Sequence, residues 1–429
     1  MCGLHFRSLH LCQADGVRGK LASVATRHGL AAVVVTAAVS VGLRLWIAAS
    51  TTGTDDVRYW SQFAEGVRRF GPIGIYGHSF EAQYNHPPLA GWLLLAANHL
   101  QQLGLPFPFL IRAPACLADG ATGLLLFLLL SREGNRSHAL AASVLFLLSP
   151  LGIIVSGFHG NTDPMFVMLA VSALYQSQVR HRHLSAGVLL ALSISVKLVP
   201  IVLVPLFLIR LAGGCRRDLV RFAAGGALVG AVLWVPVLVL RPAPFMADVV
   251  GYVGNGLVQW GVLVIAVMLG ASPAGHELTL HVIGYVAICL SAALPMVLAR
   301  HRPDLDLMRF GLVLALFLLL SPAFGMQYLV WPLAASYLVT FRYATLYNVA
   351  ASAFALAVYS RWNHALPWNW SEARSTLLPA YVAPLMFASW LALLGVVLFA
   401  LERLLVSNEA RAGQRWPDRR GSSTVRPVA

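Results

Sequence analysis

The sequence predicts an all-α, polytopic membrane protein, and its composition and hydrophobic pattern carry that prediction. Of the 429 residues, 58% are hydrophobic and 11% are charged, whereas about a quarter of the residues in a soluble domain are charged. Many stretches approach the ~20 apolar residues that cross about 30 Å of hydrocarbon. The formal net charge of +14 comes from basic residues that flank the apolar stretches, which is the positive-inside pattern. We therefore expect membrane lipids as partners, and no nucleic acid.

About twelve transmembrane spans are expected, beginning with residues 28–50. This first span is too long for a signal-peptide core, so residues 1–27 are predicted to be a basic cytoplasmic segment before a transmembrane domain at 28–406. Residues 407–429 are polar and charged, and are predicted to form a disordered cytoplasmic tail. The other spans are expected at 110–130, 139–158, 164–177, a tight pair around Pro200, 219–240, 280–299, 309–320, 327–341, 346–360 and 380–404, with 256–271 re-entrant or interfacial.

The first outer loop, residues 51–109, is expected to contain two helices that lie along the membrane interface. Residues 56–70 have the spacing of an amphipathic helix, with Trp60 and Phe63 on its apolar face. Residues 87–103 are apolar but include polar side chains. If they crossed the membrane, every later span would be inverted and most basic loop residues would lie outside. The positive-inside pattern therefore favours a helix that does not cross.

A pair of carboxylates lies near the start of this loop, at Asp55 and Asp56. Two adjacent carboxylates near the guanidinium of Arg58 can supply a general base whose charge and orientation the arginine holds. The same residues suit a helix start, with Thr54 or Asp55 as N-cap and Asp56 favouring the helix dipole. Capping and catalysis are compatible, so the pair is a candidate for an active site.

His86 is the second candidate. It precedes Pro87 and Pro88, which fix an extended approach to a helix start. The backbone N–H groups at a helix N-terminus favour an anion such as phosphate. A rigid turn with a solvated histidine explains the segment equally well.

A short outer turn places His159, Asn161 and Asp163 within five residues at the membrane edge. Thr162 or Asp163 could cap a helix that begins at Pro164. Capping would explain Asp163 but would leave His159 without a reason in so apolar a chain. Both residues are therefore candidates for the site.

Lys197 lies at the outer end of an apolar span. A lysine costs about 3 kcal/mol at the centre of a membrane helix on insertion scales. Pro200 breaks the helix directly after it, so Lys197 is expected to line a cavity. A lysine in this position either snorkels to the interface or binds an anion, and we expect anion binding.

Several other polar residues are weaker candidates. They are Arg112 and Asp119 in the second span, Gln327 with Tyr328, and Arg361 with His364 in the last outer loop. Asp119 lies within its span and should face protein or water. It is the residue that best suits a proton-coupled transporter.

The order of these features resembles the GT-C glycosyltransferases, which use polyprenyl-phosphate-linked sugars as donors. Asp55–Asp56–x–Arg58–Tyr59 is similar to the Asp-Glu-x-x-aromatic element of protein O-mannosyltransferases and lipid A aminoarabinose transferases. His86–Pro87–Pro88 matches the His-Pro-Pro element of the former. The aspartate of the next outer turn, the Lys-x-x-Pro at Lys197, and a Gln327–Tyr328 segment like that of bacterial polyprenyl-phosphate hexose transferases complete the pattern. Asp56 departs from the commoner glutamate.

The resemblance implies a hexosyltransferase, mannose-like in its sugar, on the non-cytoplasmic face of a bacterial plasma membrane. Its acceptor would be a glycan, a lipid or a protein, and the lack of a large soluble domain makes a protein less expected. The implied catalytic residues are Asp55 as general base, Asp56 and Asp163. The implied substrate-binding residues are Arg58, His86, His159, Lys197, Gln327 and Tyr328, with Lys197 and His86 on the donor phosphate. No cofactor is implied, and a divalent metal is possible but not required.

Two other classes of protein stay open on the sequence alone. A secondary transporter or lipid-linked sugar flippase would need a polar site near the bilayer midplane, for which Asp119 is the main candidate. The chain shows no internal repeat of the kind that many transporters have. A scaffold subunit without activity would leave His86, His159 and Lys197 unexplained. The five cysteines have no C-x-x-C spacing, so neither a disulfide framework nor a zinc site is expected.

Overall fold

The computed structural model describes residues 5–252, 259–270, 277–298, 305–363, 368–372 and 381–414. These residues are almost entirely helical, so the predicted all-α class is confirmed. The helices are α1 (His5–Ser50), α2 (Asp55–Gly74), α3 (Pro88–Gln102), α4 (Phe107–Leu130), α5 (Arg136–Leu147), α6 (Pro150–Ile153), α7 (Asp163–Gln178), α8 (His183–Val196), α9 (Val204–Ala212), α10 (Arg216–Val229), α11 (Val235–Leu240), α12 (Pro242–Phe245), α13 (Gly261–Met268), α14 (Glu277–Leu298), α15 (Asp306–Leu320), α16 (Leu333–Tyr337), α17 (Phe341–Asn363) and α18 (Ala383–Gln414).

Short irregular elements join several of these helices. Among the described residues, 3₁₀ turns lie at Ser131–Glu133, Val199–Leu203 and Met326–Val330. In the same ranges, π-helical turns lie at Ile154–His159, Gly230–Trp234 and Met246–Val250. Two short strands, β1 (Gly53–Thr54) and β2 (Trp370–Ser371), pair in parallel. The strand pair ties the first outer loop to the segment between α17 and α18.

Four helical segments in the described ranges are long and apolar enough to cross a membrane. They are His28–Ser50, Phe107–Glu133, Arg216–Leu240 and Ala383–Val406, and a fifth forms if Arg136–Leu147 and Pro150–His159, bent by 42°, are taken together. Shorter apolar helices cover His183–Val196, Val199–Ala212 and Val282–Leu298. The chain is an integral membrane protein, while the number of about twelve spans stays a prediction.

Both helices predicted for the first outer loop are present. The apolar face of α2, with Trp60 and Phe63, belongs to a small core that α3 shares. Pro88 occupies the first turn of α3, where its missing N–H costs nothing. The 15 residues of α3 extend about 22 Å, which is less than the ~30 Å of a hydrocarbon core. Its length therefore agrees with a helix that does not cross.

Other predicted segments differ from the structure or fall partly outside its described ranges. The span expected at 327–341 is a 3₁₀ turn followed by the five-residue α16, because Pro332 interrupts a continuous helix. The break expected at Pro200 is present, and α8 ends before an extended Lys197. Residues 256–271 and the predicted tail lie partly outside the described residues. The helix α1 continues through the boundary predicted at residue 27.

Arg112 of α4 holds two helix ends together from inside the bundle. Its guanidinium donates to the carbonyls of Ala48 at 2.8 Å and Thr51 at 2.6 Å, at the end of α1. It also donates to the carbonyls of Gly157 at 3.2 Å and Phe158 at 3.3 Å, in the π-helical turn. The last carbonyls of a helix lack partners and carry partial negative charge. Arg112 therefore has a structural role, and it brings the residues after α1 beside those after Phe158.

Two glycines make this close approach possible. Gly53 and Gly160 have φ of +93° and +86°, a region that glycine enters without steric cost. A Cβ on Gly160 would lie 2.4 Å from the Val57 side chain, and one on Gly53 would lie 2.8 Å from the Phe158 carbonyl. The turn at Gly160 can thus pack directly on the start of α2.

Asp119 of α4 is paired inside the bundle. Its carboxylate accepts from Nε of Arg44 in α1 at 3.3 Å, and the same nitrogen donates to Ser156 Oγ at 3.0 Å. Both charged side chains are buried. The candidate for proton-coupled transport is therefore engaged in an ion pair between α1 and α4.

We predict that Asp119→Leu lowers the melting temperature of the detergent-purified protein. It leaves the buried Arg44 charge without its partner, which costs about 3–5 kcal/mol. The double variant Arg44→Met/Asp119→Leu removes both charges and should recover most of the loss. A double variant as unstable as Asp119→Leu would contradict the ion-pair account.

Candidate active site

The candidate residues from separate parts of the sequence meet at one end of the helix bundle. Asp56 at the start of α2 contacts His159, and Lys197 after α8 contacts Asp163 at the start of α7. His86 lies close enough to Asp56 and Lys197 for the charges of both to act on its pKa. The structure thus assembles the four segments that the sequence singled out.

Asp56 is the carboxylate that faces this group of residues. Its Oδ2 lies 2.9 Å from Nε2 of His159, and Asn161 also hydrogen-bonds it. Burial opposes its ionisation, but His159, His86 and Asn161 outweigh burial and hold the pKa of Asp56 below its ordinary 3.8. Asp56 is therefore an anion at neutral pH.

Asp55 occupies a different environment. Its residue is 4% exposed, whereas the side chain of Asp56 is 27% exposed. The negative charge of Asp55 acts on Arg58 and Tyr59, while the charges of both carboxylates act on Tyr359. Of the two carboxylates, Asp56 is the one open to a substrate.

His159 lies behind Asp56 and is 2% exposed. Its Nδ1 is 2.5 Å from the hydroxyl of Tyr359 in α17, so both ring nitrogens have partners. The sequence marked His159 as a substrate-binding residue, which stays a prediction, and the structure places it between two protein groups. Tyr359 was not identified from the sequence, because an apolar helix gives no sign of where one hydroxyl will point.

His86 packs among aromatic side chains. Its ring stacks on Trp60 with centroids 4.2 Å apart and meets the edge of Phe63. Burial, together with the nearby charge of Lys197, lowers the pKa of His86 to about 3. At neutral pH His86 can offer an N–H to an anion, but no positive charge.

Lys197 forms a buried ion pair with Asp163. Its Nζ donates to Oδ1 of Asp163 at 2.7 Å, and Trp331 Nε1 donates to Oδ2 at 2.7 Å. The ammonium also lies over the ring of Tyr328, 4.3 Å from its centroid, a favourable cation–π position. The side chain of Lys197 is still 22% exposed, so the residue is not sealed inside the protein.

Tyr252 is a further residue of this group that the sequence did not reveal. It follows the π-helical turn at Met246–Val250, and its hydroxyl hydrogen-bonds Asn85. Burial and the nearby Tyr328 raise the pKa of Tyr252 to about 12, and Asp56 and Lys197 also act on it. Tyr252 is therefore close enough to Asp56 and to Lys197 for both charges to act on it.

The remaining candidates take other positions. Arg58 donates to Glu81 at 2.6 Å, on the exposed side of α2. Gln327 is half-buried and lies against Gly325. Arg361 is exposed near the end of α17, and His364 lies outside the described residues.

The capping alternatives do not account for the site. The hydroxyl of Thr54 donates to the carbonyl of His159 at 2.6 Å instead of capping α2. Asn161 accepts from the N–H of Asp163 at 2.8 Å, which leaves the Asp163 carboxylate to Lys197. Asp163 is therefore not explained by helix capping.

Charged and aromatic side chains gathered at one end of a helical membrane bundle are a candidate site for chemistry at the membrane edge. The sequence matches glycosyltransferase family 87 over residues 84–322, more than half of the chain. The protein belongs to glycosyltransferase family 87. The predicted glycosyltransferase class is confirmed, and the matched region includes His86, His159, Asp163 and Lys197.

The individual proteins that resemble this chain do so over a short stretch or at low sequence identity. A stretch of 119 residues is 30% identical to GPI mannosyltransferase 1 of Saccharomyces cerevisiae, and it covers 28% of each chain. The alignment thus spans less than a third of that relative's length. ArnT from Cupriavidus metallidurans, solved bound to undecaprenyl phosphate, gives a TM-score of 0.49 at 15% identity over 89% of this chain and 79% of that one. The Archaeoglobus fulgidus oligosaccharyltransferase gives 0.41 at 15% identity, over 88% and 56%.

The acidic residues of the site are engaged by protein donors. Asp56 pairs with His159, and Asp163 with Lys197 and Trp331. Within the described ranges, no three His, Cys, Asp or Glu side chains are placed to hold a metal ion together. Transfer without a metal stays a prediction.

We therefore predict that chelation by EDTA leaves glycosyl transfer by the purified protein unchanged. The measurement compares transfer before chelation, after chelation, and after adding Mg²⁺ or Mn²⁺ back. A loss on chelation that the added cation reverses would contradict the prediction.

Proposed function

We propose that this protein is a membrane glycosyltransferase that moves a hexose from a polyprenyl-phosphate donor to an acceptor hydroxyl. The observation that carries the proposal is that the carboxylate of Asp56 and the ammonium of Lys197 both act on His86 in one site, where Asp56 is anionic and the Lys197 side chain is 22% exposed. Transfer from a lipid phosphate needs a base for the acceptor and a cation for the leaving group. Family membership supports glycosyl transfer, and the yeast relative supports a mannose-like sugar.

Asp56 serves as the general base in this proposal. It takes the proton of the acceptor hydroxyl, whose oxygen forms a bond to the anomeric carbon of the sugar. The bond between that carbon and the phosphate oxygen breaks, and the phosphate leaves with the electron pair. Direct displacement inverts the anomeric configuration. The sequence alone favoured Asp55, and the greater exposure of Asp56 supports its neighbour for the role.

Lys197 stabilises the phosphate as it leaves. In the resting site its charge is compensated by Asp163 and its ammonium is fixed over Tyr328. A cation that is positioned in advance does not have to reorganise as charge develops on the leaving group. Neutral His86 can add a hydrogen bond to the phosphate. The leaving group is a phosphomonoester, so one lysine with such help can replace a metal.

The orientation of two helices supports a site on the non-cytoplasmic face. One end of α7 carries Asp163, and α8 leads to Lys197 at the same end. The opposite ends of both helices meet at the loop that contains Arg180 and Arg182. Basic loop residues mark the cytoplasmic side of bacterial membrane proteins. We therefore propose that the active site lies on the other side of the membrane.

We predict that Asp56→Asn lowers kcat by at least about 100-fold, since general-base catalysis contributes about 10²–10⁴-fold. The amide keeps the size of the side chain but cannot take the proton. The measurement is transfer from a labelled polyprenyl-phosphate hexose by purified protein, with the amount of folded protein checked by its melting curve.

Asp55→Asn is the matched control, one residue away in the same helix turn. It is expected to affect kcat less than Asp56→Asn. A larger effect at Asp55 would restore the assignment made from the sequence. Full activity in both variants would overturn the proposed base.

We predict that Lys197→Met lowers kcat by about 10²–10³-fold, as removal of one stabilising donor does in other enzymes. The variant should also lose stability, because the fully buried Asp163 then lacks a counter-charge. The double variant Lys197→Met/Asp163→Asn removes both charges. It should regain the melting temperature but not the transfer. Recovery of transfer in the double variant would show that Lys197 has only a structural role.

A further inference from the structure

A continuous hydrogen-bonded chain lies behind the carboxylate of Asp56. Asp56 Oδ2 is 2.9 Å from His159 Nε2, and His159 Nδ1 is 2.5 Å from the Tyr359 hydroxyl. The three residues come from α2, the π-helical turn and α17. Both His159 and Tyr359 are almost fully buried. Their contact joins the π-helical turn to a helix 200 residues further along the chain, and His159 in turn contacts the start of α2.

The chemistry of the partners fixes the protons along this chain. An ionised carboxylate only accepts hydrogen bonds, so Nε2 of His159 carries a proton. The imidazole tautomer that carries its proton on Nε2 has a lone pair on Nδ1, which can accept a hydrogen bond from the Tyr359 hydroxyl. The hydroxyl thereby selects the tautomer whose N–H points at Asp56. Without that donor, the ring could also present an unprotonated nitrogen to the carboxylate.

The chain ends inside the protein and not in water. Tyr359 packs against Phe158, Trp362 and Trp368, with ring centroids 5.3–6.2 Å apart. These three rings carry no group that accepts a proton from the tyrosine, and the charge of Asp55 also acts on Tyr359. The chain is thus suited to orient Asp56 and less suited to carry its proton away.

We infer that His159 and Tyr359 are positioning residues that orient the Asp56 carboxylate and keep it ionised for the acceptor. This inference rests on the proposed function, because it takes Asp56 as the base. It assigns a role to Tyr359, which lies in an apolar helix, and changes the role of His159 from substrate contact to support. The remaining lone pairs of the carboxylate are left for the acceptor hydroxyl.

Several titratable and polar groups around Asp56 can affect its pKa. Asp55 precedes it in α2, and His86, Asn161, Tyr252, Tyr328 and Tyr359 face it from other segments, with Lys197 and Asp163 beyond them. His86 is neutral above its pKa of about 3, and the tyrosines are neutral at physiological pH. His159 is therefore the main neighbour whose hydrogen bond can shift the pKa of Asp56.

The experiment compares Tyr359→Phe with the matched control Tyr347→Phe. Tyr347 is also buried in α17, but its hydroxyl donates to the Leu329 carbonyl at 2.7 Å, away from Asp56. Each change removes one buried hydroxyl and keeps the ring. The measurement is kcat and KM across the acidic pH range with a polyprenyl-phosphate hexose donor.

In wild type, Asp56 loses its activity as a base only when the pH falls to its lowered pKa, below 3.8. Without the Tyr359 hydroxyl, the hydrogen bond from His159 to the ionised Asp56 carboxylate becomes weaker, so the pKa of Asp56 rises. In Tyr359→Phe, we expect the acidic side of the profile of kcat against pH to move up by about one pH unit. We also expect kcat to fall about tenfold and KM to stay constant. Tyr347→Phe should keep the wild-type limb. In a His159→Gln background, Tyr359→Phe should have no further effect.

The outcomes separate this inference from the proposed function. If Asp56→Asn is inactive and Tyr359→Phe keeps the wild-type pH profile, the positioning role is overturned and the proposed base stands. If both tyrosine variants shift the profile equally, the effect is structural and the inference is again overturned. If Asp56→Asn is fully active, the proposed base itself fails.

Discussion

The bonds of Arg112 to backbone carbonyls are the interaction on which the site depends. A guanidinium buried without a carboxylate is costly, and here its donors meet the unpaired carbonyls at the ends of α1 and the π-helical turn. These carbonyls would otherwise lack partners inside an apolar bundle. By satisfying both ends, Arg112 sets Thr51 beside Phe158. Asp56 and His159 follow these two residues closely in the chain, so their contact is a direct consequence.

The charges of the site are balanced before any substrate binds. Asp56 is matched by hydrogen bonds from His159 and Asn161, and Asp163 by Lys197. In an environment of low dielectric constant, an unmatched charge would be lost by a shift in pKa or would destabilise the fold. The donor phosphate therefore has to share Lys197 with Asp163. Because Asp163 already compensates part of the Lys197 charge, the lysine binds a phosphate more strongly as negative charge develops on it. Such charge develops on a phosphate that leaves.

The sequence predicted those parts of the site that are unusual for a membrane span. Lys197 before a proline is conspicuous because charge and helix breaks are costly in lipid, and His159 is conspicuous in an apolar turn. Tyr252 and Tyr359 could not be found in this way, because tyrosine is common in such segments and its role depends on packing between distant helices. The choice between Asp55 and Asp56 also depends on helix phase, which composition does not give. The number of spans likewise stays a prediction, because several buried helices here are short.

The most direct test of this account is a transfer assay with the purified protein in proteoliposomes and two alternative labelled donors. One donor is a polyprenyl-phosphate hexose and the other is the corresponding nucleotide hexose, with the anomeric configuration of the product read by NMR. The account predicts transfer from the lipid donor alone and inversion at the anomeric carbon. Transfer directly from the nucleotide hexose, or a product with the donor's configuration retained, would contradict it.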